Sequence, residues 1–443
     1  MNGHSVLREA PAMPSRSPRL AEETKAWADL DPFAAAERAS ALSERFFLWQ
    51  SPDRTRTTFG AGELLRLTAD GEGRFSAIAQ GWRALDLAHA PGALLLGGFA
   101  FGDAAPGGAF GGLHSADFFV PRVLLREEAG SRRLSLFALK AGCAPDFAPA
   151  KRLLEALQQF PVAPPPARVT LVDPPGARSA WRRRVLRATD AIAAGALEKV
   201  VLARRRIALY GRRPDLSSIL RRLSEREPDC RIFACGDGQR AFLGATPELL
   251  CLREDGVARV DCLAGSSRRD LDPAVDCGIG EALRASGKNR SEHAHVVRAV
   301  QTALEALGLA PSVPQEPSVR QLKHLKHLYT PVSAVCGPEH DVFRLAGALH
   351  PTPAVGGVPQ AAALAWLRSN EGLSRGFYAG AVGFADPQGD GEFDVALRSA
   401  LFLRRSARLY AGCGIVAGSD PDEEFQETEL KLRPIESALR EDG

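Results

Sequence analysis

Short apolar runs recur along this chain in pairs, separated by glycine, proline or charge and only seldom by a helix. In the first third they read FFLWQ (46–50), ALLLGGFAF (93–101), FFVPRVLL (118–125) and LSLFAL (134–139). The middle adds KVVLARRRIAL (199–209), RIFACG (231–236), RAFLGATPELLCLRE (240–254) and VARVDCLAGS (257–266). Toward the end come YAGAVGFAD (378–386), EFDVALRSALFLRR (392–405) and ARLYAGCGIVAG (407–418). Apolar runs bounded by turn residues read as strands. Strands that follow one another without an intervening helix pair antiparallel, whereas a doubly wound sheet needs strict alternation. The expected class is α+β, built on a large antiparallel sheet system. Helices are expected from about residue 178 to Gly195, over SEHAHVVRAVQTALEAL (291–307) and through EFQETELK (424–431), where apolar residues recur near 3.6.

At 443 residues the chain suits one large domain or two fused ones. Four portions are expected: a disordered leader over 1–40, an N-terminal sheet portion over 41–160, a linker over 161–177 and a catalytic portion over 178–443. The proline-rich FPVAPPPARV (160–169) marks the linker. A net charge of +3 over this length offers no concentrated basic patch, which argues against nucleic acid. No apolar run approaches the ~18 residues of a membrane span. The N-terminus lacks an apolar core flanked by a cleavage site, and the eight cysteines include no CxxC pair. Reduced thiols and a cytoplasmic location are the reading.

Several polar residues interrupt this pattern. Glu424 and Glu427, three apart, share a helical face with Lys431 one turn beyond. Two carboxylates that close suit Mg²⁺, a hard cation that takes oxygen ligands, or else form a solvated first turn favoured by the helix dipole. Glu292 opens another helix as a second acidic element or as a surface acid. His293 and His295 nearby are two apart, so a helix points them to different faces and zinc is disfavoured. Lys199 stands at the mouth of an apolar strand. There it is a partly desolvated base, or a sheet-edge lysine reaching into water. Glu248, after a proline turn, has the surroundings that keep a carboxyl protonated as a general acid, or is an ordinary turn residue. Arg398 interrupts a strongly apolar strand and needs an anion, either a bound carboxylate or an internal acid. The turn LAGSSRR (263–269) offers backbone N–H groups for an anion. GCGIVAG (412–418) is a poor dinucleotide fingerprint, since its third glycine is misplaced and no helix follows at once.

Together these stretches resemble the chorismate-utilising enzymes: the isochorismate, salicylate, anthranilate and aminodeoxychorismate synthases. The resemblance runs from about 180 to 435 through EKVVLAR, FLGATPELL, LAGS, KNRSEH, HLYTP, HPTPAVGGVP, GEFDVALRSA, YAGCGIVAGSDPDEEFQET and Lys431. A weaker resemblance of FFLWQSP is to the N-terminal sheet of siderophore-type isochorismate synthases. The resemblance implies two packed antiparallel β-sheets with helices outside, and a Mg²⁺ site between the halves. By motif it assigns Glu292, Glu424 and Glu427 to the metal. Arg398, Lys431 and the backbone of Gly265 and Ser266 would grip substrate carboxylates, with Ala264 and Gly414 also at the substrate and His350 near the ring. An acid is common three residues before the metal glutamate; Asn289 here departs from that and would orient a metal-bound water.

Within that resemblance, Lys199 points to the branch that attacks with water, because water needs a base and ammonia does not. Ala264 lacks the nucleophilic lysine of aminodeoxychorismate synthases, and Ser266 resembles isochorismate synthases more than salicylate synthases. The expected activity is isochorismate synthase: Lys199 deprotonates water as it attacks C2 of chorismate, and Glu248 protonates the departing C4 hydroxyl. The alternative is salicylate synthase, in which pyruvate elimination follows. An aminating enzyme and a non-catalytic chorismate-binding regulator fit less well. Expected are a monomer with no glutaminase subunit, no nucleic acid and no membrane partner, and a place in siderophore rather than menaquinone synthesis.

Overall fold

The computed structural model describes residues 18–25, 30–140, 144–159, 168–270, 272–323 and 325–440. Among the described residues every strand pair but one is antiparallel, and the pairs join twenty strands into one continuous sheet. The sheet turns on two long strands, Arg56–Ala69 and Ala116–Glu128, which pair along their whole length. One half runs out from Ala116–Glu128 through Leu95–Phe99, Ala381–Ala385, Gly391–Val395, Leu249–Glu254 and Val257–Arg268 to Leu325–Val335. The other runs from Arg56–Ala69 through Phe46–Gln50, Arg231–Gly236, Arg240–Thr246, Ser399–Leu403 and Ser406–Ile415 to Lys199–Tyr210.

Alternation along the strands shows why the halves stack. In Phe46–Gln50 all five residues are buried; Phe47 and Trp49 join the core between the halves, while Phe46 and Leu48 join the core beneath the outer helices. A strand with both faces covered reads as a continuous apolar run, and period 2 then separates the two destinations. The Trp49 ring meets Phe384 of the opposite half edge-on at 5.3 Å, and its Nε1 donates to Asp394 Oδ2 at 2.8 Å. Arg231 reaches across to Glu392 and, at 2.9 Å, to Asp394 Oδ1. Burial pushes Asp394 well above the usual carboxylate range although Arg231 lies beside it. Among the described residues the seven cysteines are unpaired, and no helix is long and apolar enough to cross a membrane.

Three expectations change. Residues 1–40 are not wholly a disordered leader: Arg19–Lys25 forms a strand on Ser131–Leu139, and Pro32–Ala41 a helix capped by Asp31. Residues 1–17 and 26–29 lie outside the described residues. The 161–177 linker gives way at Val169–Val172, a strand paired with Lys199–Tyr210; 161–167 lie outside the described residues. The 41–160 and 178–443 portions interlock, since Phe46–Gln50 pairs with Arg231–Gly236 and Leu95–Phe99 with Ala381–Ala385. Adjacent apolar runs pair with whatever edge their faces fit, and sequence distance does not limit that choice.

Removing Arg231 leaves two buried acids without their shared cation. Arg231→Ala should lower unfolding free energy by about 3–5 kcal/mol, the usual cost of breaking a buried charge pair from one side. Urea denaturation monitored by Trp49 fluorescence would read it.

Candidate active site

Where the ends of the two halves face each other lies a cavity of about 290 Å³. Lys199 enters it from the first position of the strand Lys199–Tyr210. Glu248 enters from the turn between Arg240–Thr246 and Leu249–Glu254, with its N–H bonded to Thr246 Oγ1 at 3.3 Å and its C=O to Val395 N–H at 3.0 Å. Ala264, Gly265 and Ser266 come from Val257–Arg268, and His327 from the adjoining Leu325–Val335. Two helices supply the acids: Gly287–Ala306 presents Glu292, and Pro421–Leu439 presents Glu424, Glu427 and Lys431.

Backbone geometry shapes the rim. The register between Val257–Arg268 and Leu325–Val335 slips between Ala264 and Ser266, and Gly265 there has φ +72°. This is a glycine β-bulge, a device that re-aims side chains at sites. A Cβ on Gly265 would meet Asn289 Cβ at 3.1 Å. Ala379 and Arg398, both lining the cavity, hold left-handed φ values of 58° and 46°. Non-glycine residues in that region cost about 1–3 kcal/mol each and cluster at functional sites.

Charge is arranged unevenly. Lys199, 4% exposed, donates from Nζ to Glu292 Oε1 at 2.7 Å. Burial pushes Glu292 up, but Lys199, helped by Lys431 and Lys288, outweighs it and holds the carboxylate below its usual range. Glu248, 6% exposed, makes no such bond. Its burial, with Asp261 nearby, pushes it to about 8 against the pull of Lys199 and Lys431. One carboxyl of the cavity is thus ionised at neutral pH and another protonated. Glu424 is raised by burial and by Glu427 beside it. Burial disfavours the Lys431 cation, but Glu427 Oε1 at 2.6 Å keeps it charged. His327, half-buried, is pushed down to about 3 by desolvation, Arg398 and Lys431, so it is neutral; its Nδ1 lies 2.9 Å from Ser266 Oγ.

The chain matches the family described as "Chorismate binding enzyme" over residues 6–440. The chain is a chorismate-binding enzyme. It is 34% identical over 428 residues to a salicylate biosynthesis isochorismate synthase of Pseudomonas aeruginosa, covering 93% of this chain and 89% of that one. It is 32% identical to the isochorismate synthase MenF of Bacillus subtilis, covering 89% and 87%. In structure it resembles MenF, the menaquinone-specific isochorismate synthase of Escherichia coli, with a TM-score of 0.82, 26% identity and 96% of each chain covered. Anthranilate synthase component I of Streptococcus pneumoniae shares the fold at a TM-score of 0.66 and 19% identity, covering 99% of this chain and 95% of that one.

This chorismate-binding enzyme gathers Lys199, Glu248, Ala264, Gly265, Ser266, Glu292, Arg398, Gly414, Glu424, Glu427 and Lys431 around one cavity. His350 is the exception. It lies in a neighbouring cleft, its Nε2 3.2 Å from Ala100 O and 3.3 Å from Phe101 O. The helix Val342–Leu349 ends at it, and the chain turns so that Ala354 and Val355 of the same motif reach the cavity instead. Glu292 does not open its helix: Ser286 caps it, and Asn289 occupies the first turn, donating from Nδ2 to Ser286 Oγ at 2.9 Å. Arg398 lines the cavity and also meets an internal acid, with Nη1 3.5 Å from Glu227 Oε2. Sequence reading missed His327 as a site residue. Its signal was HLYTP, which lies within the strand Leu325–Val335 that pairs Ser266 with His327.

The acids fit a hard divalent cation in kind, since all three are oxygen donors facing one cavity, two of them close enough for Glu427 to raise Glu424. They are not drawn together as they stand: Glu292 is turned to Lys199 and Glu427 to Lys431. Among the described residues no three such side chains are gathered tightly enough to hold an ion.

Gly414 leaves the space that Lys199 occupies, for a Cβ there would stand 2.8 Å from Lys199 Cε and 3.4 Å from Glu292 Oε1. Gly414→Ala should therefore displace the amine. A roughly 10–100-fold loss of turnover, the usual cost of misplacing a reacting group by about an ångström, is expected with an unfolding midpoint close to wild type. Steady-state kinetics beside a thermal melt would check both halves.

Proposed function

We propose that this enzyme converts chorismate to isochorismate and uses Mg²⁺ to do so. The reading is carried by one observation: a buried amine and a buried protonated carboxyl, Lys199 and Glu248, line the same small cavity as three further carboxylates and Lys431. The similarity to enzymes named isochorismate synthase supports it.

Chorismate is a dianion, and Lys431, Arg398 and the bulge at Gly265 offer the cationic side chains and backbone N–H groups that hold carboxylates. Glu292, Glu424 and Glu427 would hold the cation, which when bound neutralises a substrate carboxylate and stabilises charge as bonds shift. Lys199 takes a proton from water as its oxygen bonds to C2. Lys199 must be a neutral amine to do so, and withdrawal of Glu292 from their 2.7 Å bond removes the counter-charge that favours the ammonium. The ring double bonds shift, the C4–O bond breaks, and Glu248 gives its proton to the departing hydroxyl. One water enters and one leaves, so the product is an isomer. Proton exchange with solvent restores both side chains.

Ser266 and His327 have a supporting role. The neutral imidazole at 2.9 Å fixes the direction of the serine hydroxyl and adds no charge against the substrate. Ala264 offers only a methyl group, so no side-chain nucleophile competes with water at that position.

Lys199→Gln and Glu248→Gln should each lower turnover by about 10²–10⁴-fold, the usual worth of general acid–base catalysis. Chorismate should still bind the Glu248 variant in calorimetry; loss of binding there would make Glu248 a positioning group instead. Near wild-type isochorismate production by Lys199→Gln would overturn the reading.

The pH profile has a definite sign. Glu248 acts in its protonated form, so the basic limb of kcat should fall as pH rises through about 8. That limb should be absent from the residual activity of Glu248→Gln. Incubation with chorismate and Mg²⁺ separates the rival lyase outcome, because salicylate fluoresces; isochorismate without salicylate is the expected product.

A further inference from the structure

A second cleft, about 490 Å³, shares only Arg375 with the lining of the catalytic cavity. Arg74, the first residue of the helix Arg74–Arg83, lies in its wall and is 5% exposed. A guanidinium carries five N–H donors. Arg74 makes one side-chain hydrogen bond, from Nη1 to Gly71 O at 3.3 Å, and its Nε has no partner. Among the described residues no carboxylate lies within ion-pair distance of it. The Phe75 ring, 4.8 Å from the guanidinium carbon, supplies a cation–π contact and no hydrogen bond. Its position compounds the cost, because the positive end of a helix dipole lies there and Gly73 provides no capping side chain. A buried cation left this way is stabilised by an anion that enters the cleft.

The remaining walls define that anion. Phe75 and Phe101 line the cleft. Phe101 is backed by the Arg375 guanidinium at 4.1 Å from its centroid, so its ring is held in place. Arg375 is in turn fixed by Glu371 and by Val201 O at 2.6 Å. A rigid aromatic wall beside one unpaired guanidinium suits a flat ring bearing a carboxylate. Glu72, Asp103 and Glu371 line the cleft together with Arg368 and Arg375, so its wall carries both signs of charge, and Asp103 is a nearby but unbonded counter-charge to Arg74.

We propose that this cleft binds a small aromatic monocarboxylate, its carboxylate on Arg74 and its ring against Phe101. The site stands apart from the catalytic cavity and does not depend on the reaction assigned there. The ligand would bear on Arg375, whose bond to Val201 O holds the strand two residues beyond Lys199, so occupancy at one site can be felt at the other.

Benzoate is the probe, titrated calorimetrically into the full-length protein. Saturable binding with one equivalent per chain is expected, weakened at least tenfold in Arg74→Gln, partly restored in Arg74→Lys and unchanged in Lys431→Ala. Loss of binding in Lys431→Ala would place benzoate in the catalytic cavity and overturn the proposal, as would equal affinity in Arg74→Gln or no saturation. Should Arg74→Gln fail to fold, Ala361→Trp provides a second test, since Ala361 is an exposed residue in the cleft wall and a tryptophan there takes up space in the cleft while leaving Arg74 itself unchanged. Unaltered benzoate affinity in Ala361→Trp would equally sink the assignment.

Discussion

Burying charge between two sheets is the constraint from which the rest of this structure follows. The inner faces of the strands are occupied largely by Phe47, Trp49, Phe99, Phe118 and Phe393, and the charged groups of the cavity come from strand ends, turns and the flanking helices. Lys199 begins a strand, Glu248 lies in a turn, Arg398 links two strands, and the acids come from helices. Each then meets a different local environment, and those environments separate two carboxyls of one cavity. Glu292 stays ionised because an amine touches it; Glu248 is kept protonated because burial, with Asp261 nearby, outweighs the pull of Lys199 and Lys431. Acid and base chemistry can coexist in a site only where such a separation is built in.

Precision at the rim comes from places where side chains are missing or backbone is held against its preference. Gly414 leaves room for the Lys199 methylene chain, and Gly265 leaves room for Asn289. Ala379 and Arg398 are held in left-handed conformations by the Ala379–Ala396 and Ala245–Arg398 backbone bonds on either side. These features depend on the strands being fixed first. The Arg231–Glu392–Asp394 cluster contributes there, since Gly391–Val395 carries Val395, the residue that bonds the Glu248 carbonyl.

Much of the fold was legible in the sequence, because fully buried strands write themselves as unbroken apolar runs. Phe46–Gln50 and Lys199–Tyr210 fall where those runs fall. The leader and linker were misjudged for a related reason. Arg19–Lys25 reads RLAEETK, a charge-rich strand held between Asp86–His89 and Ser131–Leu139, and Val169–Val172 is only four residues long; neither has an apolar run to announce it. The candidate site was legible where a residue's own motif points it inward, as with Glu424, Glu427 and Lys431 on one helical face. It was illegible where direction depends on tertiary packing. His350 turns to the Ala100 and Phe101 carbonyls, a choice made by residues 250 positions away. His327 enters the cavity because its strand is registered against the bulge at Gly265, which no local pattern specifies.

On the function proposed above, the cavity's internal pairs explain how it can hold so much charge. Lys199 is matched to Glu292, Lys431 to Glu427 and Arg398 to Glu227. A dianion entering alone would face Glu292, Glu424 and Glu427; a divalent cation alone would face Lys199, Lys288 and Lys431. Each by itself upsets a balance that low dielectric makes costly to upset. Entering together, two negative charges and two positive charges add nothing to the total, and the internal pairs can exchange partners without leaving any group uncompensated. The cation and the substrate then strengthen each other's binding, by a coupling that must be equal in both directions. Lys199 is the group most affected by that exchange, because its 2.7 Å bond to Glu292 is the one a cation drawing on Glu292 would break.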